Sequence, residues 1–270
     1  MADVKVSEFP TAYAEALDEV LAGATFASAY NVQGAEFVNA RQVSIPEIDF
    51  GSNPEPVAYD GFSTVGDATI ERTVYTLDND VEKVYRIDAL DSIDEAAADA
   101  TRLTSEWMRL EFSKYIDKKF FAAALSKAKT TGTTALTAAN VKAEVRKART
   151  QFVEAGLTGG NLYMTPTALG MLEDATERQW SNDTSITDTV GNYNGFAVYE
   201  VPSEILGADF IAISGGTQTI EYVTKRAVSY LFAPGGHTEG DCWLEQMRWV
   251  FGMIVKKNKR PGIYASKASA

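Results

Sequence analysis

The residues most able to do chemistry in this chain are His237, Asp241 and Cys242, which stand close together near its C-terminal end. A thiol beside an imidazole can become a thiolate nucleophile. Catalytic partners of that kind usually come from distant parts of a sequence, whereas here only a glycine-rich turn (APGGHTEGD) separates them. No helix start follows Cys242 to stabilise a thiolate. A surface histidine and a small strand residue are the simpler reading. With a single histidine in the chain, a zinc site lacks ligands. Asp78, Asp80, Asp88, Asp91 and Asp94 could suggest a hard cation, but they lack the loop spacing and closing glutamate of a calcium site, so turn and cap roles fit better. The glycine pairs 159–160, 215–216 and 235–236 match neither phosphate-loop nor dinucleotide fingerprints. Lys256, Lys257, Lys259 and Arg260 read as a solvated turn. No catalytic constellation, cofactor or metal is therefore expected.

Composition narrows the function classes further. The 270 residues are 45% hydrophobic and 23% charged, enough to bury a sizeable core in one or two domains. A net charge of −12 and a pI near 4.7 argue against a protein that grips nucleic acid through a basic face. One cysteine rules out an internal disulfide framework and fits a reducing compartment. The start, MADVKVSEF, lacks signal-peptide character, and no apolar run is long enough to span a bilayer. A soluble cytoplasmic protein is the default expectation.

One stretch organises the rest. Ser92 to Lys127 reads as a single helix about 50 Å long, free of Gly and Pro, with Ser92 and Glu95 as a capping box. Acids gather at its start and lysines at its end, as the helix dipole favours. Its apolar stripe runs through Ile93, Ala96, Ala100, Leu103, Trp107 and Leu110, then shifts after Met108 to Phe112, Tyr115, Ile116 and Phe120. Two offset faces suggest contact with more than one layer or more than one subunit.

Before that helix, residues 1–34 hold one short amphipathic segment (Tyr13, Leu17, Val20, Leu21) and resemble an arm. Val43, Ile45 and Ile48 then mark a strand that contains Pro46, which predicts a sheet edge. Phe50 to Asp67 is a long polar loop. Beyond it Ile70, Arg72, Val74 and Thr76 alternate with Glu71, Thr73, Tyr75 and Leu77. Asp78-Asn79-Asp80 predicts a turn, after which VEKVYRI resumes a strand. Too little sequence flanks this ribbon to cover both of its faces, so a projecting hairpin that packs on another molecule is expected.

After the helix, Thr137 is expected to cap a second helix with Val141, Val145, Ala148 and Phe152 inward and Gly156 at its end. NLYM, GFAVYEVP and DFIAIS read as strands, and Thr165-Pro166 starts a helix that turns Leu169 and Leu172 inward. Residues 176–194 read as a polar loop. Strands follow over 219–232 and from Cys242 to Lys257, the latter with Trp243, Met247, Trp249, Phe251 and Met253 against Leu244, Glu245, Arg248, Val250 and Ile254. GIYA is a last short strand. The order implies an α+β protein with helices packed on a sheet.

In this order and spacing, NARQVSIPEID, TLDNDVEKVYRIDALDSIDEA, NLYMTPTALGML, GFAVYEVPSEIL and WLEQMRWVFGMIVKKNKRPGIY resemble the tailed-bacteriophage major capsid proteins of the Hong Kong 97-type fold, from about Ala35 to Tyr264. The resemblance implies an N-terminal arm over 1–34 and an extended E-loop with its flanking strands over 35–91. It implies a peripheral domain over 92–132 plus 224–257, built on a spine helix, and a mixed-sheet axial domain over 133–223 plus 258–270. It implies a structural, non-enzymatic protein that self-assembles through hexamers and pentamers into an icosahedral shell enclosing double-stranded DNA without specific binding. Tyr59, Phe62, Val74, Tyr75, Trp107, Phe112, Tyr115 and Trp180 are the inter-subunit residues it suggests. The partners it implies are many copies of the chain, a separate scaffolding protein (the stretch before the arm is too short to hold one), a portal and a decoration protein, with no membrane. The protein would be made in the host bacterial cytoplasm and end in the virion capsid. Lys83 is the only lysine in the loop region, and no cross-link is expected. An encapsulin-type nanocompartment shell has the same fold and is the alternative; a cysteine hydrolase or a small-oligomer binding protein are rivals of other classes. Activity-based thiol probes should label Cys242 no faster than an ordinary cysteine, and selective labelling would favour the hydrolase.

Overall fold

The computed structural model describes residues 25–32, 37–39, 41–50, 68–88, 105–176, 191–216, 219–232, 235 and 241–267. The capping box at Ser92, the amphipathic segment of the arm and the tip of the long loop lie outside these residues.

The largest sheet has six strands: β5 (Thr130–Thr131), β6 (Gly160–Met164), β7 (Gly191–Tyr193), β8 (Phe196–Glu200), β9 (Phe210–Ile213) and β12 (Ile263–Ala265), in the order β5-β12-β9-β6-β8-β7. Alternation assigns each face a separate layer. Leu162, Met164, Phe210, Ala212 and Tyr264 point to one side, where helices α2 (Val141–Glu154) and α3 (Pro166–Thr176) supply Val141, Val145, Ala148, Phe152, Leu169 and Leu172. Tyr163, Ile211, Ile213, Ile263 and Ala265 point to the other, against α1 (Ser113–Lys127), with α4 (Ser203–Leu206) alongside. The sheet is thus sandwiched between helices, as the element order implies. Two local expectations change. Thr137 does not cap α2: Asn140 is its N-cap, and the Asn140 side chain instead braces the preceding turn by accepting the Thr137 amide. The stretch read as a loop to residue 194 ends in a strand, because Asn194 and Gly195 both take positive φ and form the tight hairpin turn that joins β7 to β8.

A second, antiparallel sheet has the order β10-β11-β4, with β4 (Asn79–Asp88), β10 (Ile220–Phe232) and β11 (Cys242–Val255). β11 is buried on both faces along its second half. Met247, Trp249 and Phe251 face α1, while Val250 and Ile254 face the opposite way. Glu245, set by sequence in the series opposite Met247, lies on the same face as Met247, fully buried, where the Ser229 hydroxyl donates to it at 3.3 Å.

The offset stripe of the long helix has a local cause. Met108 to Phe112 winds as a π-turn, with the Ser113 amide donating to the Met108 carbonyl. The extra residue rotates the stripe by about 100°. Met108, Phe112, Ile116, Phe120 and Ala124 are then continuous on one buried face. Trp107 and Phe112, assigned to different stripes by sequence, stack on one another at 5.3 Å and both pack against Trp249. Over the described residues the shift therefore reflects one phase-corrected face.

The third sheet, β1-β2-β3, is the hairpin: β1 (Phe37–Asn39), β2 (Gln42–Phe50) and β3 (Ala68–Thr76). β1 reaches only to Val43, so Pro46 sits where the other side of β2 has no strand partner among the described residues. Asp78-Asn79-Asp80 is no turn between paired strands. The chain crosses there from the hairpin into the second sheet, where β4 pairs with β11. Leu77 marks the crossing, buried over Gly252, where an added Cβ would stand 2.5 Å from the Leu77 Cδ2 and 3.2 Å from its Cα. Gly252→Ala should therefore cost about 1–3 kcal/mol by overpacking, and Trp249→Ala about 3–5 kcal/mol by emptying the aromatic seam, both read from denaturant midpoints.

Candidate assembly interface

The hairpin strands run for nine residues each, a reach of about 30 Å. Their register decides which residues share a face. Val43 pairs with Tyr75 and Ile45 with Thr73, and with Leu77 this face closes on Val223, Val250 and Ile254 of the second sheet. Ser44 pairs with Val74 and Pro46 with Arg72, and Ile70 follows on the same side. That outer face is open: Ile70 is 68% exposed and Val74 50%. Branched apolar side chains held out on this strand face have no stabilising partner among the described residues.

Polar contacts fix the angle at which the hairpin leaves the body. The Asp80 carboxylate takes both Arg248 Nε, at 2.9 Å, and Arg248 Nη2, at 2.8 Å, and also pairs with Arg41 at the β1–β2 turn. The Arg248 guanidinium, reinforced by Arg41, holds that carboxyl below its ordinary range. Asp80 is thus occupied by cationic side chains. The Tyr75 hydroxyl donates to Glu47, whose carboxylate also accepts the Lys257 amide at 3.4 Å. Burial, and then Glu47, raise the Tyr75 hydroxyl above its usual value. A cleft of about 590 Å³ opens between the hairpin root, α1 and β11, bordered by Asp78, Lys119, Lys127, Met253 and Arg260.

The structure sorts the residues expected between subunits. Tyr59, Phe62 and Trp180 lie outside the described residues. Val74 is exposed. Tyr75 is turned to the opposite face, because neighbours on a strand alternate, and its hydroxyl is used within the chain. Phe112 is 1% exposed, stacked on Trp107 and packed against Trp249, and Trp107 is half-buried in the same seam; both side chains contribute to their own subunit's core. Tyr115 is 37% exposed at the margin of that seam, with Lys119 over its ring. Ile70 was absent from the expected set, although alternation places it on the same face as Val74. Leu110, on the outer side of the π-turn, is exposed too.

Cys242 opens β11 opposite Asp88, half-buried, and His237 lies outside the described residues. Among the described residues no group of three or more His, Cys, Asp and Glu side chains is placed to hold a metal. No described helix is long and apolar enough to cross a membrane.

No protein-family model matches the sequence. No curated protein matches it either. Solved structures do match its fold. The mature capsid of bacteriophage PhiM1 superposes with a TM-score of 0.65 at 12% identity, over 90% of this chain and 86% of that one. A Gordonia phage Cozz structure gives 0.63 at 12% identity, over 92% and 87%. A virus-like particle from Pyrococcus furiosus gives 0.59 at 12% identity, over 96% of this chain and all of the other. The chain has the α+β fold of phage capsids, the Hong Kong 97-type fold. Changing Ile70 and Val74 together to lysine should shift subunit stability by no more than about 0.5 kcal/mol per site, because both are exposed, while sedimentation shows self-association lost. Undiminished assembly would remove the outer hairpin face from the interface.

Proposed function

We propose that this chain is the major capsid protein of a tailed bacteriophage, assembling through hexamers and pentamers into the icosahedral shell around a double-stranded DNA genome. The observation that carries the reading is the hairpin. Its inner face is closed by the chain's own second sheet, and its outer face presents Ile70 and Val74 to solvent on a ribbon about 30 Å long, in a fold that superposes on a phage capsid over nine-tenths of its length. Closed shells repeat one contact between copies until it closes on itself. An outstretched ribbon that lies over a neighbour makes such a contact, and an arm over residues 1–34 would make another. Function then resides in surfaces, and no step of chemistry is assigned to the chain. The net charge of −12 suits a container wall that must not hold packaged DNA. A separate scaffolding protein, a portal and a decoration protein complete the set of partners, and the virion is the destination after synthesis in the host cytoplasm.

The same architecture suits a cargo compartment of the encapsulin type. The match to the whole of the Pyrococcus virus-like particle chain favours keeping that reading. Purified particles distinguish the two: nucleic acid inside supports the capsid, and a packaged protein supports the compartment. Electron microscopy or sedimentation of the expressed chain should show closed shells or capsomers; a lone small oligomer defeats both. Removal of Ser52 to Gly66 should leave a folded, soluble subunit that forms no shells, and native-like shells from that variant would show that the loop is dispensable.

A further inference from the structure

The turn Phe26–Tyr30 sits on helix α1, at a contact between residues 90 apart in sequence. Thr25 caps the turn by accepting the Ser28 amide, which leaves the amides of Phe26 and Ala27 without partners inside it. The Ala27 amide donates to Oδ1 of Asp117 on α1 at 3.1 Å, and the Phe26 amide adds to the pull on that carboxyl. Among the described residues the rest of the seat is uncharged. Phe26 packs on Phe121, Tyr163 and Tyr199. The Tyr30 hydroxyl lies 3.0 Å from that of Tyr163 and accepts from Asn161, and the Val32 amide donates to the Tyr222 carbonyl. An asparagine or serine at position 117 could satisfy the same amides without a charge. A buried carboxylate with no cation beside it is expensive to keep ionised.

The groups facing this seat do not relieve that expense. The turn contributes Tyr30, β6 Tyr163, β8 Tyr199 and β10 Tyr222, all hydroxyls that are neutral near pH 7. β9 carries no titratable side chain. Glu204 on α4 is exposed, and Glu245 on β11 is acidic and bonded to Ser229. On α1 itself Lys114 and Lys118 are exposed. We propose that Asp117 is a proton-dependent latch that holds the N-terminal segment against the long helix, docked while the carboxyl carries its proton and loosened when it ionises. Burial lifts that carboxyl to about 7, against the opposing pull of the Ala27 and Phe26 amides. When the segment leaves, water reaches the carboxyl and its affinity for the proton falls toward the ordinary value. The docked form therefore binds the proton more tightly. Docking is strongest at or below the ordinary carboxyl range, weakens as pH rises toward 7, and levels off above it. The latch governs where the preceding residues of the arm begin, and it rests on contacts within one chain, whether or not that chain builds shells.

Amide hydrogen exchange of the full chain between pH 5 and 8, corrected for intrinsic rates, tests the latch, with helix α2 as internal reference. Protection over residues 25–32 should fall by up to about tenfold per pH unit from pH 5 to 7 and then flatten, while α2 stays constant. In D117N the same amides should show no pH dependence. Constant protection in the wild type, an equal slope in D117N, or a parallel fall in α2 would each overturn the proposal. The wild-type series alone decides it if D117N does not fold.

Discussion

Strand β11 has to be buried on both faces, and the rest of the molecule follows from how that is done. On one face Trp249 lies 4.5 Å from Phe112 and 5.6 Å from Trp107, so the long helix is joined to the second sheet by stacked rings. Such rings bury more area than any aliphatic pair and favour particular geometries, so the contact fixes the helix's rotation as well as its position. The π-turn at Met108–Phe112 is the backbone's accommodation to it: one added residue brings Phe112 under the sheet while keeping Trp107 beside it. On the other face Val250 and Ile254 receive Val43, Ile45 and Leu77, and only a glycine at position 252 lets the Leu77 backbone approach.

This arrangement divides the hairpin unequally. Its root is fastened by an apolar cluster, by Asp80 between two arginines, and by Glu47 between Tyr75 and the Lys257 amide. Beyond the root, nothing among the described residues covers the outer face. A two-stranded ribbon of that length is marginal in water by itself. A rigid root with an uncovered outer face is what a contact between copies requires: the direction is set by the subunit, and the free energy of burial remains available to a neighbour.

The polar groups in the interior follow a different rule from those at the root. Tyr30, Asn161 and Tyr163 satisfy one another in a neutral network, and burial raises both phenols. Asp117, by contrast, is an acid among groups that are neutral in the described residues, and it accepts the Ala27 amide. Its ionisation is therefore tied to whether residues 25–32 remain in place.

Local pattern was enough for a good deal of this protein. Alternation through Ile70 to Leu77 separated two faces, Pro46 marked a stretch of β2 paired on one side only among the described residues, and the spacing of Val141, Val145, Ala148 and Phe152 gave the buried side of α2. Those features depend on neighbours a few residues apart, which periodicity records. Ile70 and Val74 share a face for that reason. Tertiary structure alone decided that Tyr75 and Phe112 serve their own subunit, that β4 leaves the hairpin to pair with β11, that Glu245 turns inward, and that Asp117 meets Ala27. Each of these depends on which distant segment arrives opposite the residue, and burial and pairing across such separations leave no periodic trace in the sequence.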